Sequence, residues 1–462
     1  MPARQDGNLQ GDKTTLPAPG IPPFSRGKAQ DCESFVLRHP RQSDDSEFMR
    51  IIFTCAVFPP EPAPAGVMAR QLAEYLGREG HQVCMIVPFP NRPGGVVYQG
   101  YRRELRQVQA AGGVQTVRCA HWLIGKHRRH LDRLMENATF GMSTTWAAWR
   151  HGRPDLMLVE AWPLLAVQLN MWLARCWKVP AVYYVQDVYP EAIEYAGLIK
   201  RSGLLASALR AWDRRLCLSS GRVVVISEGM KRLLCESRRL PEDKVTVISN
   251  WLDPFLFSPL PRDNGWREEM KIPPAKFLVL FAGTLGHVSG AEVLVEVAQR
   301  LQEHEDILVL CVGEGVLKEE MVSAARRQGL TNIEFRPFQP AGKVCQMHAC
   351  ADVTLLSLQR DYPDASVPSK LITYLAAGRP VVCAAAPSSA VAQHVLAARA
   401  GVVAEAGDAA AIAEAILKVS GDTAGAAAMG ENARKYFLER FTLERACHQF
   451  EELLSGLTAA RT

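Results

Sequence analysis

The feature that most constrains this chain is an alternation of short, wholly apolar runs with amphipathic stretches, broken once and then begun again. Ile51 to Val57 is apolar at nearly every position rather than at every second one, the mark of a strand covered on both faces of a parallel sheet. A Pro-rich turn follows, Gly66 opens a helix with Met68, Leu72, Tyr75 and Leu76 at helical spacing, and Gly80 ends it. Val83 to Val87 is the next strand, and further strands are expected at 115–119, 155–159, 180–185, 222–226 and 245–249. Asn250 to Pro259 interrupts the pattern with Pro254 and Pro259, and the design restarts at the apolar run Phe277 to Ala282. Strands at 307–312, 332–336, 353–357, 380–384 and 401–404 then alternate with helices at 291–302, 316–329, 341–350, 369–377, 388–398 and 409–419. The stretch 424–460 reads as two helices. Two such series imply an α/β chain of two Rossmann-like, doubly wound parallel-sheet domains facing across a cleft. Ligands of such sheets sit at the carboxyl ends of the strands.

Residues 1–47, rich in Pro, Gly, Ser, Asp and Gln without periodicity, are expected to form a disordered tail. The first domain is expected over 48–258 and the second over 259–440, since 462 residues exceed what one core supports. A net charge of +5 is too small to argue for nucleic acid and is compatible with an anionic membrane surface or a phosphorylated ligand. The twelve cysteines are scattered singly, with no C-x-x-C pair, which points to reduced, buried thiols rather than to disulfides or zinc. No apolar leader is evident, and the longest apolar region, Ala161 to Ala174, carries Gln168 and Asn170. A soluble, cytoplasmic protein is therefore expected.

Candidate site residues gather where strands give way to helices. Gly66 would let backbone approach a ligand at a helix start, or serve a tight packing turn. Gly283, Thr284, Gly286 and His287 close the first turn of the second domain, where amides and a helix dipole suit a phosphate; His287 could equally be a surface cap. Gly313, Gly315 and Lys318 repeat the arrangement, with Lys318 in the first helical turn either meeting an anion or simply solvated. The most telling stretch is Ser366-Val367-Pro368-Ser369-Lys370, a capped helix start with one lysine, which reads as a pyrophosphate seat. In the first domain, Asp187 and Glu191 follow a very apolar strand and would project into the cleft as catalytic carboxylates, Asp187 foremost. The ordered region contains no D-x-D, no P-loop, no G-x-S-x-G and no H-E-x-x-H, so metal-nucleotide chelation, nucleotide hydrolysis and serine chemistry lose support.

The same stretches, taken in order, resemble the family-4 glycosyltransferases of the GT-B fold over residues 49 to 455. The resemblance is carried by Phe58-Pro59-Pro60-Glu61, Gly80-His81-Gln82-Val83, Pro90-Asn91-Arg92-Pro93-Gly94, Gln186 through Glu191, Ile226 through Met230 and Ile248 through Asp253. In the second half it is carried by Ala282 through Gly286, Val312 through Gly315, Val367 through Lys370 and Ala376 through Val382. It looks closest to the bacterial branch with WbuB-like L-fucosamine transferases. The resemblance implies a metal-independent, retaining transferase acting in surface polysaccharide or glycolipid synthesis. The second domain would hold a nucleotide-sugar, by preference a UDP-sugar, and the first domain the acceptor. No cofactor is implied, because the donor is a substrate. The stretch 441–462 would be a helix packing back on the first domain. Where the family places two Glu with seven residues between them, this chain has Ala365 and Thr373, leaving Thr373 with only a hydroxyl and Lys370 and Lys318 as the remaining cations. That departure keeps a UDP-sugar 2-epimerase and a non-catalytic nucleotide-sugar binder as alternatives. The mixed apolar and basic segment His121 to Arg133 would suit a lipid-linked sugar acceptor and peripheral contact with an anionic membrane, or an ordinary solvated helix.

Overall fold

The computed structural model describes residues 48–459 apart from 62, 93–94, 102–103, 105, 112, 124–129, 196–198, 201–202 and 361–368. The expected tail, 1–47, lies outside the described residues.

The first sheet holds β1 (Arg50–Thr54), β2 (Gln82–Pro88), β3 (Arg106–Ala111), β4 (Val114–Cys119), β5 (Leu156–Glu160), β6 (Ala181–Val185), β7 (Arg222–Val225) and β8 (Val245–Val247). Their spatial order is β3-β4-β2-β1-β5-β6-β7-β8, parallel throughout except that β3 pairs antiparallel with β4. The second sheet holds β9 (Phe277–Ala282), β10 (Ile307–Val312), β11 (Ile333–Arg336), β12 (Val353–Ser357), β13 (Val381–Ala384) and β14 (Gly401–Ala404), in the order β11-β10-β9-β12-β13-β14. This is the doubly wound class that the apolar runs imply. β3 is absent from the sequence reading because its residues, Arg-Gln-Val-Gln-Ala-Ala, form a half-covered edge with no apolar run to signal it. The first helix begins at Pro64 rather than Gly66: proline at the start sacrifices no hydrogen bond, since that amide has no partner anyway.

In both sheets the strand order reverses beside the first strand, between β1 and β5 and between β9 and β12. Helices leaving those neighbouring strands run to opposite faces, so a crevice opens at the strands' carboxyl ends. In the second sheet, β9 and β12 are paired only at Val353 with Val279 and Thr354 with Leu280, then part. The buried Tyr374 hydroxyl closes the gap, accepting from the Ala282 amide at 3.0 Å and reaching the carbonyls of Ala282 and Leu355 at 3.4 Å. That bond fixes the helix Ser369–Ala376 against the crevice.

The chain crosses between the halves twice, side by side. Leu252 bonds through its amide to the Phe441 carbonyl at 3.0 Å, and Leu443 donates to the Leu252 carbonyl at 3.1 Å. The helix Thr423–Arg440 places Ala433, Tyr436 and Phe437 in the second core. The helix Leu443–Ala459 instead places Cys447, Phe450 and Leu454 in the first, where Phe450 meets Tyr184 edge-on at 5.2 Å. The eleven cysteines of the described residues are free.

Candidate active site

The crevice of the second domain is built from two glycine turns stitched to each other. The Gly283 amide donates to the Val312 carbonyl at 2.8 Å, Leu285 to Glu314 at 2.9 Å and Gly313 to Arg336 at 2.9 Å, while Gly286 bonds the Ser289 hydroxyl at 3.3 Å. A Cβ on Gly313 would drive into the Gly283 carbonyl oxygen, and one on Gly315 into that of Leu285. These glycines therefore have a packing reason that the sequence did not reveal: two backbones pass within touching distance. The amides of Gly283, Gly286 and Gly313 are already engaged, which narrows the phosphate cradle expected of them. Thr284 and His287 are exposed, His287 at the start of a single 3-10 turn His287–Ser289. Lys318 is paired with Glu314 at 2.6 Å inside its own turn, so its charge is already partly compensated.

Lys370 is different. Its side chain lies across Gly283, whose φ of +132° a residue with a Cβ rarely adopts and whose missing side chain leaves the room that the lysine occupies. Nζ is out of reach of solvent and has no hydrogen-bond partner among the described residues. It stands 4.0 Å from the centre of the Phe281 ring. Burial lowers its pKa from 10.5 to about 8. The neighbouring Cys311 thiol, pushed up to about 12 by burial, offers no counter-charge at neutral pH. A buried ammonium with neither anion nor acceptor among the described residues is costly, and a chain tolerates such a group where an anion comes and goes. Ser369 is exposed beside it, and Thr373 turns its hydroxyl back to the Ser369 carbonyl at 3.2 Å. Ser366, Val367 and Pro368, the remainder of the expected seat, lie outside the described residues, as does Ala365.

In the first domain the crevice between β1 and β5 holds a residue that sequence reading missed. Glu160 ends β5, and its Oε2 accepts the Ala56 amide, beyond β1, at 3.1 Å. Burial raises its carboxyl from 4.5 to about 7, with the Ala56 bond and Arg92 pulling down and Asp187 adding to the rise. Only a polar residue ending an apolar strand, Leu-Met-Leu-Val-Glu, hinted at it. Asp187, on the loop after β6, is itself exposed, yet crowding by the surrounding protein raises its carboxyl through desolvation. Between the two loops Trp162 stacks on Tyr189 with ring centres 4.5 Å apart. Carboxylates beside an aromatic face are what a sugar, with hydroxyls on its rim and C–H groups on its faces, can use. Glu61 ties the loops together beneath, its Oε1 accepting the amides of Asn91 at 2.7 Å and Arg92 at 2.8 Å.

Glu191 has another occupation. Its carboxylate takes both Arg238 nitrogens at 2.7 Å and Arg210 Nε at 3.1 Å. Arg238 is fully buried and also bonds Asp213 at 2.8 Å, so Glu191 belongs to an internal ion network that clamps the loop after β6 to the helix Glu228–Arg238. Desolvation raises its carboxyl, but the Arg238 bonds outweigh it and the net shift is downward, which opposes use as a base. Gly66 likewise has a structural role, since a Cβ there would press on the Val57 carbonyl and the Phe58 backbone. Among the described residues no three His, Cys, Asp or Glu side chains gather as a metal site would require.

Comparisons with known proteins agree with the two-part plan. Residues 65–251 match the model of a glycosyl transferase 4-like domain and residues 263–436 that of glycosyl transferases group 1. WcaI of Escherichia coli (strain K12), named as a colanic acid biosynthesis glycosyl transferase, is 26% identical over 336 residues, 71% of this chain and 82% of its own. Among solved structures, sucrose-phosphate synthase of Thermosynechococcus elongatus superposes with a TM-score of 0.71 at 16% identity, over 89% of this chain and 99% of that one. Anabaena HepE in complex with UDP and glucose does so at 0.63 and 16%, over 88% and 99%. The likeness to these structures places the chain in the GT-B fold.

Proposed function

We propose, from the premise that this chain is a glycosyltransferase joining a 4-like half to a group 1 half, that it moves a sugar from a UDP-sugar with retention and without a metal. The acceptor would be a growing surface polysaccharide or glycolipid, as the name of WcaI suggests for that relative. The observation that carries the reading is Lys370: a buried ammonium with no partner among the described residues, at the carboxyl end of β9, where doubly wound sheets take ligands. UDP on HepE supports uridine as the base.

In this reading negative charge builds on the departing diphosphate, and Lys370 with the amino-terminal turn of Ser369–Ala376 is already in place to meet it. A preformed cation needs no reorganisation at the moment of bond cleavage, which is why it lowers the barrier. The first domain presents the acceptor hydroxyl between Glu160 and Asp187, with Trp162 and Tyr189 as the sugar-facing wall. Phosphate oxygen of the donor takes the hydroxyl proton, and Asp187 orients that hydroxyl. Glu191 supports the loop from beneath through Arg238.

The test is donor turnover by the purified protein with a chelator present. Slow UDP release is expected from UDP-sugar, and Asp187→Asn is expected to keep the UDP dissociation constant while transfer falls. An isomerised sugar nucleotide in place of released UDP would mean an epimerase, and no UDP binding at all would refute the reading.

A further inference from the structure

The helix His130–His151 carries its large apolar residues on two opposite faces. Phe140, Thr144, Ala147 and Ala148 are buried and Gly141 lies against Ala166, facing the helix Leu164–Trp177 and the sheet. Met135, Met142, Trp146 and Trp149 recur at steps of seven, four and three, which brings them onto one stripe turned to solvent. Trp149 is 60% exposed, Met142 57% and Trp146 46%. Trp122 joins the stripe: its amide donates to the Thr139 hydroxyl at 2.9 Å, on the outer side of the same helix, and its ring is 50% exposed. Solvent-facing tryptophans and methionines in a row are an unfavourable surface for a chain that meets only water.

Acids stand only at the amino-terminal end of the helix, Asp132 and Glu136, and the charges beside its tryptophans have one sign. From Asn137 to Arg153 the sequence has Arg150 and Arg153 and no carboxylate, and Arg150 covers the Trp146 ring at 5.6 Å. On the neighbouring helix Leu164–Trp177, Trp172 is exposed and Arg175 is the sole charged residue. Indole rings with an apolar body and a polar N–H, set beside Arg150, Arg153 and Arg175 with the acids Asp132 and Glu136 at the far end of the helix, match the boundary between headgroups and acyl chains of an anionic bilayer. Among the described residues no helix is long and apolar enough to cross a membrane, so the match is to a surface. The inner side of the helix also lines a small pocket, with Glu136, Asn137 and Phe140 facing Arg92 and His121. One helix thus has acceptor-side residues within and tryptophans without.

We infer that the outer stripe of His130–His151, with Trp122 beside it, seats the protein on an anionic lipid bilayer. If the first domain takes the acceptor, as proposed above, its crevice by Glu160 and Asp187 is then held near the headgroups, where a sugar on a lipid carrier would present its hydroxyl. Membrane seating stands independently of the donor site, and its failure is read separately from failure of UDP binding.

The experiment is co-sedimentation of the full chain with vesicles of phosphatidylcholine alone and of phosphatidylcholine with phosphatidylglycerol, alongside quenching of tryptophan fluorescence by brominated lipid. Binding and quenching are expected only with phosphatidylglycerol and should weaken with salt. Trp146→Ser with Trp149→Ser should lower vesicle affinity about tenfold or more, and Arg150→Glu with Arg153→Glu should abolish the preference for the anionic lipid. All four side chains point outward, so thermal midpoint and UDP release from the donor should stay at wild-type values and show that the variants fold. Equal binding by wild type and the double tryptophan variant, or no binding to anionic vesicles, would overturn the inference. A concentration-dependent dimer that the tryptophan variant loses would assign the stripe to a second copy and overturn it as well.

Discussion

If Lys370 meets a diphosphate, binding must draw a proton from the buffer. With the free site titrating at about 8, half the lysines are neutral at pH 8, and a bound dianion returns them to the charged form. The uptake is then about 0.1 proton per UDP at pH 7, about 0.5 at pH 8 and about 0.9 at pH 9. A terminal phosphate titrates near pH 6 and so adds little in this window. The Phe281 ring pulls the other way: a desolvated cation–π contact of about 1–2 kcal/mol retains some proton on the free lysine and moves the midpoint up by about 0.7–1.5 pH units. Above the midpoint, affinity should weaken about tenfold per pH unit, because each complex then requires a proton that the solution holds less readily. The assay is calorimetric titration with UDP at pH 7, 8 and 9 in buffers of different ionisation enthalpy, with uridine as the control lacking phosphate. Lys370→Met should remove the buffer dependence and weaken UDP by about 10- to 100-fold, the worth of one charge-assisted bond of about 1.5–3 kcal/mol. Measurable UDP binding with buffer-independent heat at pH 8 and 9 would remove Lys370 from the site.

Two further outcomes follow from the first domain. Glu160 binds its proton more tightly folded than unfolded, so its contribution is complete below about pH 4.5 and is lost as pH rises to about 7. The difference is about 3 kcal/mol at most, and urea unfolding of Glu160→Gln should lack that fall; an identical pH profile would show the carboxyl to be ordinary. Arg238→Ala strands Glu191 and Asp213 without their buried partner and should cost about 3–5 kcal/mol in chemical denaturation, and a loss below about 1 kcal/mol would mean that the network is wet.

Much of the fold was legible because burial on both faces leaves its mark residue by residue. The runs that became β9 and β10 are apolar throughout, as is β1 between Arg50 and Thr54, and the break at Asn250 to Pro259 coincides with the place where the chain crosses at Leu252. The half-covered β3 left no such mark. At the site, Lys370 was legible as a cation at a helix start, but its isolation was not. Whether a lysine is solvated or stranded depends on what the Gly283 turn and the Phe281 ring, some ninety residues earlier, do to its surroundings.

Glu191 and Glu160 show the same limit from opposite sides. Both are glutamates at the carboxyl ends of first-domain strands or the loops beyond them, and nothing in the adjacent residues separates them. Arg238 reaches Glu191 from 47 positions away and holds its carboxylate ionised, while Glu160 faces mostly protein and is pushed toward the neutral acid. The sequence by itself determined which segments had to be buried, and therefore two doubly wound sheets. Only the tertiary structure decided which charges are compensated, because a charge's energy is set by the dielectric and the partners around it, and those come from distant parts of the chain.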